Sequence, residues 1–147
     1  MGREIFVDTS AWYPIVDRAH PDHARMAEHL ESRVGDGAVL VTTNLVLAES
    51  HALLMRRIDR RVARTFLAGA RAAPNVVVHS SAELEAAAES QWLTRYDDQD
   101  FSLTDAVSFA VMTERDITEA LTLDRHFTTA GFVPVGPPDS RRGANTR

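Results

Sequence analysis

Five short runs rich in apolar and β-branched residues, each separated from the next by a stretch with helical character, constrain this chain more than any other feature. The runs are "EIFVD" (4–8), "AVLVT" (38–42), "NVVVH" (75–79), "EALTLD" (119–124) and "FVPVG" (132–136). Continuous apolar strands suit a sheet buried on both faces, and strands alternating with helices predict a parallel one. Between the first two runs, "PDHARMAEHLESRV" (21–34) carries Met26, Leu30 and Val34 at helical spacing, with Pro21 in its first turn. Thr43 reads as the N-cap of the helix "NLVLAESHALLMRRI" (44–58), and a further helix spans 60–72. Ser81 caps another over 82–96, and the acidic loop "DDQDF" (97–101) leads into a helix over 103–116. The expectation is a three-layer α/β domain over 1–136, a central parallel sheet of about five strands flanked by helices, with a disordered tail at 137–147.

Sheets of this kind place ligands at the carboxyl ends of their strands. Asp8 ends the first run and Asp124 the fourth, so both carboxylates emerge on one edge. Glu49 lies inside the 44–58 helix with Leu45 and Leu53 four residues to either side, on or beside a largely apolar face. Asp105 opens the 103–116 helix. Each acid also has a structural reading: Asp8 and Asp124 as turn or capping residues, Glu49 as a solvated helix edge, Asp105 as an acid favoured by the helix dipole. The set is more informative than its members. Carboxylates about 6 Å apart repel by about 3 kcal/mol per pair at an effective dielectric of about 20. Such a cluster must protonate, spread or bind a cation. With no Cys and no well-spaced His pair, the donors are hard oxygens, which points to Mg2+ or Mn2+ rather than Zn2+. That ion suits phosphate chemistry.

The stretches "VDTSAW", "LVLAES", "FSLTDAVSFAVM" and "EALTLDRHF" resemble the four acidic motifs of PIN-domain ribonucleases, and more narrowly those of VapC toxins from toxin–antitoxin modules. The resemblance runs from Ile5 to about Val135. It implies a five-stranded parallel sheet and one or two Mg2+ or Mn2+ ions held chiefly by Asp8 and Asp105. Glu49 would complete the cluster and Asp124 would be its fourth, outer acid. Asp100 is a secondary candidate, and Thr9, Ser10 and Thr104 carry hydroxyls that could orient the acids or a phosphate. The implied reaction is endonucleolytic hydrolysis of RNA to 5′-phosphate and 3′-hydroxyl ends. The implied partners are a second copy of the chain and a small antitoxin that drives a basic residue into the acidic pocket.

Net charge is −5, which argues mildly against non-specific nucleic-acid binding, and all 16 basic residues are Arg. The densest cluster is Arg56, Arg57, Arg60, Arg61 and Arg64. If the helix bearing Glu49 continues through it, Arg56 and Arg60 fall on the side of Glu49 and could track an RNA backbone. Trp12 and Tyr13 read as packing residues first and base-stacking residues second, and His126 as structural first and a substrate contact second. No apolar run approaches a membrane span, no signal-peptide core is present, and a cytoplasmic location is the default. Two rival functions remain: a catalytically inactive PIN-like scaffold that binds RNA or protein, and a phosphatase using Asp8 as nucleophile. The second is disfavoured because Ser10 stands where the commonest such pattern needs another Asp.

Overall fold

The computed structural model describes residues 3–136; the expected tail at 137–147 lies outside the described residues. The strands are β1 (Glu4–Val7), β2 (Val39–Thr43), β3 (Val76–Val78), β4 (Glu119–Leu121) and β5 (Val133–Val135). They form one sheet in the order β3-β2-β1-β4-β5, and every neighbouring pair is parallel. Starting from the central β1, the chain builds outward through β2 to β3, then returns to the other side of β1 for β4 and β5. The crevice between the carboxyl ends of β1 and β4 is therefore a topological switch point, where open α/β sheets bind ligands.

The helices are α1 (Thr9–Val16), α2 (His23–Gly35), α3 (Asn44–Arg57), α4 (Arg60–Arg71), α5 (Ala82–Ala88), α6 (Leu103–Glu114) and α7 (His126–Thr129). A π-helical segment, Glu89–Thr94, extends α5. The single helix expected over 82–96 thus widens in its second half. There Trp92 packs its ring on Phe109 at 5.1 Å and on Tyr96 at 5.4 Å. Phe109, on the inner face of α6, also meets Phe127 at 5.0 Å and Phe101 at 5.1 Å. This aromatic cluster anchors α6 against the sheet side of the switch point. Truncating fully buried Phe109 to Ala would cost about 3–5 kcal/mol.

Two sequence expectations need correction. The strand expected over 119–124 stops at Leu121, so Asp124 stands three residues beyond it, on the same edge but in the loop before α7. The condition that the Glu49 helix continue through the arginines is not met: it ends at Arg57, Ile58 leaves helical geometry (φ −122°, ψ −94°), and Asp59 caps the separate helix expected over 60–72. Arg60 opens α4, so its helical phase relative to Glu49 is lost.

Candidate metal centre and active-site cleft

Asp8 follows β1 directly and is the N-cap of α1, its carboxylate accepting from the Ser10 backbone N–H at 3.3 Å. Both structural roles foreseen for it, strand end and cap, are therefore real. The same Oδ2 accepts from the Ser10 hydroxyl at 2.8 Å and the Thr122 hydroxyl at 3.4 Å. Asp8 is only 4% exposed. Burial, reinforced by the charges of Asp105 and Asp124 and opposed by the Ser10 hydrogen bonds, pushes its carboxyl up from 3.8 to about 6. A bound cation would oppose that upward shift.

Asp105 sits in the first turn of α6, one turn before Phe109, and forms a reciprocal cap with Ser102. Ser102 Oγ accepts from the Asp105 N–H at 3.0 Å, and Asp105 Oδ2 accepts from the Ser102 N–H at 3.2 Å. Asp124 is held by its neighbours: its N–H donates to Thr122 Oγ1 and its Oδ1 accepts from the His126 N–H, both at 2.9 Å. Glu49 rides on α3, whose buried stripe is Val46, Leu47, Ser50 and Leu54. It is exposed rather than set in an apolar face, and it reaches the cleft from the β2 side.

All four acids line one cleft of about 340 Å3, with Thr9, Ser10, Tyr13 and His20 around them. No arginine lines it among the described residues. The donor set is carboxylate oxygen, and one oxygen each of Asp8 and Asp105 is committed to protein donors. That combination fits a hard divalent cation. One ligand atom each from Asp105, Asp124 and His126 lies within 4.8 Å of the others.

The other candidates divide. Ser10 joins the site directly, bonding Asp8 and Thr122 and accepting from the Leu123 N–H at 2.9 Å. Thr9 lines the cleft while its hydroxyl bonds Val46 and Ser50. Thr104 is placed outside the cleft lining, its carbonyl accepting from Ser108 at 2.8 Å. Asp100 is exposed and also outside it, because the turn before α6 buries its neighbour Phe101 instead. Trp12 is core, edge-on to Phe66 at 5.4 Å and donating to Thr42, whereas Tyr13 faces the cleft. Arg56 is exposed on the last turn of α3. Arg60 lines a separate groove between α3 and α4 with His51, Met55, Asp59, Arg61 and Arg64. Arg57 sits over one of the lining residues, its guanidinium 5.4 Å from the centre of the Tyr13 ring.

Thr122 is the contributor that sequence reasoning missed; His126, read there as structural or as a substrate contact, meets Asp105 instead. The signal for Thr122 is symmetry: a hydroxyl stands two residues after Asp8 and another two before Asp124.

The PIN-domain family profile matches residues 5–133. The chain belongs to the PIN-domain family. It is 38% identical over 133 residues to the Mycobacterium tuberculosis 23S rRNA-specific endonuclease VapC20, covering 90% of this chain and 98% of that one. It is 33% identical over 136 residues to ribonuclease VapC26 of the same organism, covering 90% and 94%. The crystal structure of VapC20, described as a sarcin-ricin loop cleaving toxin, superposes with a TM-score of 0.82 at 37% identity, over 90% of this chain and 99% of that one. The PIN-domain fold, its parallel five-stranded sheet and its VapC-type nuclease character, expected from four short motifs, are therefore established. PIN nucleases work with a divalent metal, and the acidic cleft has the donors for one.

Proposed function

We propose that this PIN-domain ribonuclease cuts RNA at the cleft of Asp8, Glu49, Asp105 and Asp124, with Mg2+ as its ion and Mn2+ as a substitute, and that it is the toxin of a toxin–antitoxin pair. The observation that carries the reading is the convergence of the four acids, without an arginine, at the switch point of the sheet. Asp8 and Asp105 are the principal ligands: they are the two buried acids, each clamped through Oδ2. Glu49, exposed on α3, is suited to orient an attacking water from that side. Asp124 adds charge from the loop before α7. Asp8, Asp105, Glu49 and Asp124 would hold the ion, which would supply polarisation of the scissile phosphate and a more acidic water for hydrolysis to 5′-phosphate and 3′-hydroxyl ends. Ser10 and Thr122 keep Asp8 in one rotamer so that this geometry is ready before RNA arrives. Arg56 and Arg57, on the last turn of α3, are the candidate backbone contacts beside the cleft.

The substrate follows from the relatives: VapC20 is a 23S rRNA-specific endonuclease, so the sarcin-ricin loop of 23S rRNA is the first RNA to test. The antitoxin follows from the same charge argument, since a guanidinium can neutralise four carboxylates as a metal does. The test is cleavage of ribosomes and total RNA by the purified protein with Mg2+, with EDTA, and beside Asp8→Asn, followed by end-group mapping. Fragments that need the metal and disappear in the mutant support the reading. Cleavage that survives both removals refutes it.

A further inference from the structure

Each well-buried acid of the cleft gives one oxygen to the protein and keeps the other. For Asp8 the clamp is Ser10 and Thr122. For Asp105 it is the Ser102 N–H and the ring Nδ1 of His126, at 3.2 and 3.1 Å on the same Oδ2. Facing a carboxylate, Nδ1 is the donor. The backbone N–H of His126 meanwhile donates to Asp124 Oδ1 at 2.9 Å, and its ring Nδ1 lies 3.5 Å from that oxygen. One residue thus ties the carboxylates of α6 and of the β4–α7 loop together, although they are 19 positions apart (124 − 105).

The ring is itself held. Phe101 meets it edge-on, centroids 5.3 Å apart at 77°, and Phe101 packs in turn on Phe109 and Tyr96. The imidazole is therefore aimed by the aromatic cluster that anchors α6. An imidazole can make this bond while uncharged, whereas a guanidinium in its place would supply the positive charge that the acids need from a metal.

We infer that His126 is a positioning residue for the metal centre: ring and backbone N–H fix one oxygen each of Asp105 and Asp124, leaving Asp105 Oδ1 and Asp124 Oδ2 for a shared cation. This rests on the proposed metal role of the acids. Removing a partner that orients a ligating carboxylate typically costs 10–100-fold in metal affinity or activity.

The test compares His126→Leu, which removes the donor, with His126→Asn, whose side-chain N–H stands where Nδ1 was. Mn2+ binding to the full chain is measured by electron paramagnetic resonance without RNA, and melting temperature with and without Mn2+. The expected result is Mn2+ affinity about 10–100-fold weaker in His126→Leu and largely restored in His126→Asn. The Mn2+-induced rise in melting temperature should shrink in parallel, and the KM for RNA should stay unchanged. Wild-type affinity in His126→Leu overturns the inference. So does equal loss in both variants, which would mean that the ring binds the ion itself or only packs. Absence of Mn2+ binding by the wild-type chain overturns the underlying metal reading instead, and with it this one.

Discussion

At the amino-terminal ends of β1 and β4, Glu4 and Glu119 are each met by arginine, while at the carboxyl ends Asp8 and Asp124 are met by hydroxyls and N–H groups. Arg115 grips both oxygens of Glu4, at 3.2 and 2.6 Å. Arg33 grips both oxygens of Glu119, at 3.1 and 2.9 Å, and Arg3 adds a contact at 3.1 Å. Hydrogen bonding by Arg33 holds Glu119 below the usual carboxylate range, while burial holds Asp8 above it. Two strands thus carry charge at both ends, neutralised at one and left exposed to mutual repulsion at the other. An acid with its guanidinium built in needs nothing more, whereas a cluster of acids that no arginine meets among the described residues is suited to a cation from outside.

The strongest way to break this contrast is to remove a charge at the carboxyl end. Asp105→Asn should lower RNA cleavage by at least about 10²–10³-fold, the loss seen when one group stabilising transition-state charge is removed. Glu119→Gln should leave cleavage unchanged. Single-turnover rates on one RNA at saturating Mg2+ decide it, and equal losses at both ends would erase the distinction.

Stability should respond in the opposite sense. Because the Asp8 carboxyl is raised from 3.8 to about 6, the metal-free fold is penalised as pH rises through that window, and the penalty is complete above it. Asp8→Asn should therefore stabilise the metal-free protein at pH 7–8, with a ceiling of about 3 kcal/mol for a shift of about two units. The gain should vanish near pH 4 and shrink in saturating Mg2+. Urea titrations in EDTA across pH 4–8 measure this, and a destabilised Asp8→Asn at pH 8 would contradict it.

At the amino-terminal end the sign reverses. Glu119 is depressed, so its stabilisation is present at neutral pH and is lost as pH falls below the ordinary carboxylate value of 4.5. Its pairs are partly exposed, and Glu119→Gln should cost about 1–2 kcal/mol at pH 7 by the same titration.

Much of this was legible in the sequence because it rests on local rules. Thr43 and Ser81 cap their helices as their positions suggest, and strand–helix alternation gives the parallel sheet. Asp8, Asp105 and Asp124 could be placed on one edge because strand ends in such a sheet share an edge. What was hidden depends on contacts between distant segments. The Arg33–Glu119 pair joins residues 86 positions apart, and His126 meets Asp105 across 21. The break between the helices expected over 44–58 and 60–72 was legible, and the structure sets it at Ile58 with Asp59 capping α4; what was hidden was which groove Arg60 then faces. That break is what separated Arg60 from the cleft.

The smallest expected effect concerns arginine rather than acid. Arg115 is spent on Glu4, whereas Arg57 lies over Tyr13 at the mouth of the cleft. There it is suited to one phosphate of an RNA strand, held in place by the ring face. A single contact of this kind on single-stranded RNA contributes about 0.7 to the slope of log affinity against log salt. Arg57→Ala should flatten that slope by about this much and raise KM a few-fold with kcat nearly unchanged. Arg115→Ala should leave the slope alone and lower the melting temperature instead, because its charge is already matched. If both variants flatten the slope equally, RNA reads the net charge of the surface, and the division between the two ends governs metal binding but not substrate.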